Sequence, residues 1–153
     1  ATYGTGYEHT GFFNRKYIAR KGDSNIGDQN LTNPNNYRAI RYADVLLLAA
    51  EANARKATPD ENKARNYLNL VRQRAFGTTS RAINASGSAL QNAIFDERRV
   101  EFVGEGHRFF DLVRTGRAAQ EIDGFTPNKN ELFPIPFEEI QFSNGNWEQN
   151  NGY

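Results

Sequence analysis

The chain has 153 residues, no cysteine and no methionine, and its 19 basic and 18 acidic residues leave a formal net charge of +1. This balance argues against a basic surface for nucleic acid, and the lack of cysteine excludes disulfides, thiolate zinc sites and thiol nucleophiles. The length fits one domain or part of a larger one, and no apolar run approaches the roughly 18 residues that cross a membrane.

Residues 1–36 are rich in Gly, Asn, Asp and Tyr and show no helical period, so we expect an irregular loop region. Within it, Phe12 to Ala19 could pair as a short strand. A compact domain seldom carries so long a structureless stretch unless it is functional or rests on other chain. Because position 1 is not methionine either, we expect the chain to start inside a longer gene product, with this region continuing from upstream chain.

A strong helical pattern covers residues 37–56. One face carries Ile40, Ala43, Leu47, Ala50 and Ala54, and further apolar residues at Val45, Leu46, Leu48 and Ala49 widen it. The sequence therefore predicts a helix that is buried on more than one side. Glu51 is expected to accept hydrogen bonds from a neighbouring arginine, since an unpaired buried carboxylate is costly. Arg41 and Asp44, three residues apart, can pair with each other.

Further helices are predicted at 59–75, 89–103 and 107–114, the last closing at Gly116. Thr58 is the expected cap of the first of these, with Pro59 at its first position, and Ser86 or Ser88 can cap the next. One more helical turn is possible at 136–140. Helix pairs with short connectors and small contact residues predict an all-α fold of tetratricopeptide-like helical hairpins with long irregular loops. The predicted division is a loop region at 1–36, a hairpin core at 37–119 and an extended tail at 120–153 that packs on the core.

The stretch 96–114 (DERRVEFVGEGHRFFDLVR) is dense in charge, and two glycines, Gly104 and Gly106, predict a tight corner between two helices. Helical spacing places each acid near a base: Arg98 with Glu101, Glu105 with Arg108, and Asp111 with Arg108 and Arg114. A cluster of catalytic carboxylates and a structural ion-pair network are the two interpretations. The structural ion-pair network is favoured, because each acid in this stretch has a base within one helical turn. The two histidines, His9 and His107, have no metal-ligand spacing, so no metal site is predicted.

Five ordered motifs between residues 37 and 153 carry a family resemblance. They are IRYADVLLL at 40–48 followed by Ala50-Glu51-Ala52, LNLVRQRA at 68–75, ERRVEF at 97–102 with EGHRFFDLVR at 105–114, Pro134-Ile135-Pro136 with Glu139, and QNNGY at 149–153. Together they resemble the carboxy-terminal part of the SusD/RagB family. Asn151 departs from the proline that the family usually shows in its closing motif, which affects only that local turn.

The resemblance implies a lipoprotein at the cell surface, held in the outer membrane of Bacteroidetes-type bacteria by a lipid anchor absent from this chain. It implies a partner, a TonB-dependent transporter of the SusC type, and a glycan such as starch as the ligand. RagB-like members suggest peptide cargo instead, and a general protein-interaction module is a further alternative. No enzymatic activity and no cofactor are predicted.

Ligand residues are sought among loop aromatics, because sugar sites combine aromatic faces with planar polar side chains. The candidates are Tyr3, Tyr7, Phe12 and Phe13, with Asn14 and Arg15 as polar partners, and Trp147 in the tail. Packing of these aromatics against upstream chain is the alternative. A second set is predicted to hold the fold through ion pairs and helix contacts: Arg41, Asp44, Glu51, Glu97, Arg98, Glu105, Arg108 and Asp111.

Overall fold

The computed structural model of the chain describes residues 14–17 and 35–153. Regular structure in these two ranges is helical, with no strand: α1 (Tyr42–Arg55), α2 (Glu61–Phe76), α3 (Gly87–Glu101), α4 (Arg108–Arg114), α5 (Ala118–Glu121) and α6 (Phe137–Phe142). The prediction of an all-α fold is therefore confirmed. The chain divides into two compact units, the first ending at Gly104 and the second beginning at Glu105. The predicted division at residues 36 and 119 stays a prediction.

The first unit is built on α1, which packs against both α2 and α3. Its most deeply buried side chains come from all three helices and are Leu47, Leu68, Val71, Leu90 and Ile94. Small residues line the contacts between them, since Ala50 of α1 and Ala64 of α2 are also fully buried. Alanine at these positions lets the helix axes approach closely, which explains the compact α1–α2 hairpin.

Helix α1 begins at Tyr42, later than the predicted start at Tyr37. Arg41 is extended, with φ −118° and ψ 157°, and its carbonyl accepts the first helical hydrogen bond from the Asp44 N–H at 2.9 Å. Ile40, which was predicted to lie on the buried face, is 73% exposed and precedes the helix. A periodic pattern does not show where a helix loses its packing partner, so the start was predicted too early.

Packing covers less of α1 than its composition indicates. Val45 and Leu48 are exposed, as is Tyr42, so these residues form an uncovered stripe along the helix. The prediction of a helix buried on more than one side is wrong at these positions within the described chain. The buried residues Ala43, Leu47, Ala50 and Ala54 instead form one face, which α2 and α3 cover.

Helix α2 has a different cap from the predicted one. Asp60, rather than Thr58, is the N-cap, and its carboxylate accepts a hydrogen bond from the Lys63 N–H at 3.0 Å. Aspartate is as good a cap as threonine or better, and its negative charge suits the helix N-terminus. The helix ends as expected at Gly77, whose φ of 67° is left-handed.

The corner after α3 also follows the predicted glycines. Helix α3 ends at Glu101, and Gly104 and Gly106 both have left-handed φ angles, 75° and 81°. A side chain at Gly104 would collide with the amide of Asn14. Lys16 donates a hydrogen bond to the Glu101 carbonyl at 2.5 Å, so residues 14–17 lie against the C-terminal end of α3. These residues form a turn, whereas the remainder of the possible strand at 12–19 lies outside the described residues.

The second unit has three short helices and long turns. Hydrogen bonds from side chains to the backbone connect its segments. The predicted turn at 136–140 is present as α6, while α5 was not predicted. The amide of Gln149 accepts from the Ile135 N–H at 2.7 Å and donates to the Ile135 carbonyl at 2.9 Å. Asn150 donates to the carbonyl of Phe133 at 2.6 Å, and the Tyr153 hydroxyl donates to that of Leu132 at 3.0 Å. The tail is thus fixed along residues 132–135.

None of the helices in the described part of the chain is both long and apolar enough to cross a membrane.

Candidate functional site

A deeply buried ion pair links α1 to α3. The Arg98 guanidinium donates to the Asp44 carboxylate at 2.7 Å, and their side chains are only 3% and 9% exposed. The two residues lie 54 positions apart in sequence. Sequence analysis had placed Arg98 with Glu101 and Asp44 with Arg41, because spacing along one helix reveals only local partners. The pair cross-links two helices of the core.

Two further carboxylates on α3 bind arginines of other segments. Glu97 accepts from Arg72 at 2.5 Å, which joins α3 to α2. Glu101 accepts from Arg41 at 3.0 Å and from Arg74 at 2.5 Å, both on the same oxygen. Sequence analysis missed Arg72 and Arg74 as partners, although the Arg-Gln-Arg run beside an apolar helix face was a visible signal. Arginine suits this role because its donors are arranged in a rigid fork.

Phe102 lies between two of these arginines. Its ring is buried, and the guanidinium carbons of Arg41 and Arg98 lie 5.0 and 5.1 Å from the ring centroid. Both cations are therefore held by a carboxylate and by an aromatic face together. This arrangement fixes the end of α3, where the corner begins.

The second unit has its own ion pairs. Asp111, which is buried, accepts from Arg114 at 2.7 Å, one of the partners predicted from spacing. Arg108 donates to Glu121 at 3.0 Å and thereby connects α4 to α5, a partner that was not predicted. Glu105 is buried as well.

Glu51 accepts a hydrogen bond from Arg55 at 2.6 Å, one turn later on α1. An arginine was the expected donor for this carboxylate. The pair lies at the protein surface, since the Arg55 side chain is 47% exposed. Pairs of this kind along one helix stabilise it only modestly.

Most of these ion pairs connect different helices or segments. Asp44, Glu97, Glu101 and Asp111 each contact at least one arginine. The structural role of the predicted set remains a prediction. In the two described ranges, no group of three or more metal-binding side chains is placed to hold an ion.

The predicted ligand aromatics fall into two groups. Tyr3, Tyr7, Phe12 and Phe13 lie outside the described residues. Trp147 is described; the residue is 54% exposed, and its backbone N–H donates to the Ser143 hydroxyl at 3.0 Å. A half-exposed indole on a backbone fixed in this way can present a face to a ligand. Its role stays a prediction.

Two of the open grooves in the first unit lie beside α2, and neither was predicted. One, of about 450 Å³, lies between α1 and α2, with an apolar floor at Leu46 and Val71 and with Arg41 and Arg74 at its edge. The other, of about 250 Å³, lies between α2 and the loop that follows it. The sequence alone does not predict either groove. Residues 66–73 indicate only that α2 has a polar face. The shape of a groove depends on how the following loop returns to the helix.

Comparison with known proteins identifies the family. The SusD family model matches residues 2–131. Two SusD-like proteins of Formosa agariphila, P25 and P2, are 34% and 31% identical to this chain over 92% of its length. The chain spans less than a third of them, 29% and 31% of their lengths. A crystal structure of a SusD homolog from Bacteroides thetaiotaomicron superposes with a TM-score of 0.68 at 37% identity, covering 78% of this chain and 26% of that one. The chain therefore belongs to the SusD family.

Proposed function

We propose that the protein containing this chain binds oligosaccharide or polysaccharide nutrients at the cell surface and delivers them to a TonB-dependent transporter of the SusC type. It works by affinity alone, with no bond made or broken. A lipid anchor in the outer membrane holds it there. The observation that carries the proposal is the match of the SusD family model over residues 2–131.

The geometry is in keeping with a binding role. Three of the buried carboxylates, Asp44, Glu97 and Asp111, are in contact with arginines, whereas hydrolysis of a glycan requires a pair of carboxylates facing a cleft. The surface of the second unit displays exposed aromatic side chains, among them Phe137, Phe142 and Trp147. Such side chains can stack on the apolar face of a sugar ring.

Calorimetric titration with a panel of polysaccharides and peptides tests the proposal, using this chain and the intact gene product side by side. Binding of a glycan by the intact protein, with no new reducing ends released, supports it. Glycan binding by this chain itself would place a site within residues 1–153. Failure of the intact protein to bind any glycan would refute it, and binding of peptides alone would favour the peptide-binding alternative.

The Trp147 candidate is tested by Trp147→Ala in whichever of the two proteins binds. Leu132→Ala is the control, since Leu132 is an exposed apolar residue of the same unit that has no ring to stack on a sugar. Loss of affinity in the first variant and not in the second would place the ligand at Trp147. Equal affinities in both variants and the parent would remove Trp147 from the site.

A further inference from the structure

The groove between α2 and the following loop is lined, among the residues that the structure describes, by five uncharged polar side chains and two apolar ones. Its walls are formed by Asn66, Asn69, Leu70, Gln73, Thr78, Thr79 and Ala82, and its volume is about 250 Å³. The residues from α2 recur at positions 66, 69, 70 and 73, which lie on one face of a helix. We propose that this groove is a glycan-binding site, which takes one or two residues of a neutral sugar chain. The inference rests on the proposed function, because it assumes a glycan ligand.

Asn69 is held in place before any ligand arrives. Its side-chain nitrogen donates to the Ile83 carbonyl at 3.0 Å, and its oxygen accepts from the Ile83 N–H at 2.8 Å. An amide has two donor hydrogens and two acceptor lone pairs, so one of each remains available at Asn69. A fixed amide that offers both a donor and an acceptor is complementary to neighbouring hydroxyls on a sugar ring.

The other wall of the groove is also fixed. Arg72 donates through Nε to the carbonyl of Arg81 at 2.8 Å, and the Ala82 N–H donates to the Thr79 carbonyl at 3.0 Å. The Arg72 and Asn69 contacts attach Arg81 and Ile83 to α2, and the Ala82 bond closes a turn within the loop. The groove is therefore formed without a ligand, so little conformational entropy is lost when one binds.

Asn66 and Gln73 supply the remaining amides. Both are exposed, and neither makes a side-chain hydrogen bond to any residue of the described ranges. Asparagine is a poor residue for a helix interior, and at position 66 no side-chain hydrogen bond to another described residue compensates for it. Their donors and acceptors are directed to whatever occupies the groove or to water.

The chemistry of the lining selects the class of ligand. None of the described residues that line the groove is charged, whereas arginine or lysine is the usual partner of an anionic ligand and carboxylates are the usual ligands of a hard metal ion. Leu70 and Ala82 add apolar surface for the C–H face of a sugar ring. A neutral polyhydroxylated ligand matches both features. None of the lining residues that the structure describes is aromatic, so the proposal assigns the affinity to the amides.

Nuclear magnetic resonance titration of the 153-residue chain tests this site, with maltohexaose, cellohexaose and xylohexaose as neutral probes. Trigalacturonate serves as the charged probe and a neutral hexapeptide as the peptide probe. The side-chain amide signals of Asn66 and Gln73 are expected to shift with a neutral oligosaccharide. The double variant Asn66→Ala/Gln73→Ala is expected to weaken binding by roughly tenfold, since two hydrogen bonds are lost.

Gln120→Ala, at an exposed glutamine on α5, is the matched control and should bind like the parent. Circular dichroism is used to check that all variants keep the helix content of the parent. If the parent binds an oligosaccharide and the double variant binds it equally well, the groove proposal is refuted while the proposed function stands. Binding of trigalacturonate or the peptide alone at these amides would refute the neutral-sugar assignment. If this chain binds no saccharide, the groove proposal fails, and titration of the intact protein then decides the proposed function separately.

Discussion

Replacing Asp44 with alanine tests the role of the ion pair between α1 and α3. Both members are buried, and the variant would leave the Arg98 guanidinium in the core without the carboxylate that lies 2.7 Å from it. Removing one member of a buried pair typically costs 3–5 kcal/mol. Because Arg98 also lies against the ring of Phe102, we expect the lower value, about 3 kcal/mol. For a chain of this size that corresponds to a fall in melting temperature of roughly 10 °C.

Thermal and urea unfolding followed by circular dichroism measure this loss. The double variant Asp44→Leu/Arg98→Met removes both charges and should recover most of the lost stability, since apolar replacements of a buried pair are often neutral. Asp96→Ala is the control, because Asp96 and Arg99 form an exposed pair at 4.0 Å that should contribute little. If Asp44→Ala costs less than about 1 kcal/mol, or the double variant is no more stable than Asp44→Ala, the pair does not hold the core as argued.

Three further substitutions test other contacts. Asn69→Ala should lower the free energy of unfolding by about 2 kcal/mol, since the backbone of Ile83 loses both its hydrogen bonds to the amide; an unchanged urea midpoint would contradict this. Gln149→Ala should speed amide hydrogen exchange at Ile135 while global stability changes little, and unaltered exchange there would show that another group protects it. Glu51→Leu should lower the melting temperature by about 2 °C and leave glycan affinity unchanged; a fall in affinity without a fall in stability would place Glu51 in the site.

The sequence predicts the helices well where local rules determine them. Gly77 and Gly116 end helices with left-handed φ angles of 67° and 70°, as their positions indicated. The errors occur where tertiary packing decides. Val45 and Leu48 are apolar yet exposed, because the helices described around α1 cover only its opposite side. The hydrophobicity of a residue indicates that it can be buried, but it does not indicate whether another element packs over it.

The ion pairs were predictable only in part. Pairs within one helix, such as Asp111 with Arg114, follow from spacing alone. Pairs such as Arg72 with Glu97 depend on how two helices lie side by side, which the order of charges along the chain does not determine. The grooves could not be predicted for the same reason, because their shape depends on how the elements pack. The groove beside α2 exists because Asn69 fixes the returning loop at Ile83, which lies 14 residues later in the chain.

The contact between Gln149 and Ile135 bears on whether a strand of another molecule could pair with this segment. Segments with unpaired N–H groups can template strands from other molecules. The prolines at 134 and 136 have no N–H, so Ile135 has the only donor among these three residues. Gln149 accepts from that donor and also donates to the Ile135 carbonyl, so both of these backbone groups already have a partner. A strand of another molecule would have to displace Gln149 before it could pair with Ile135.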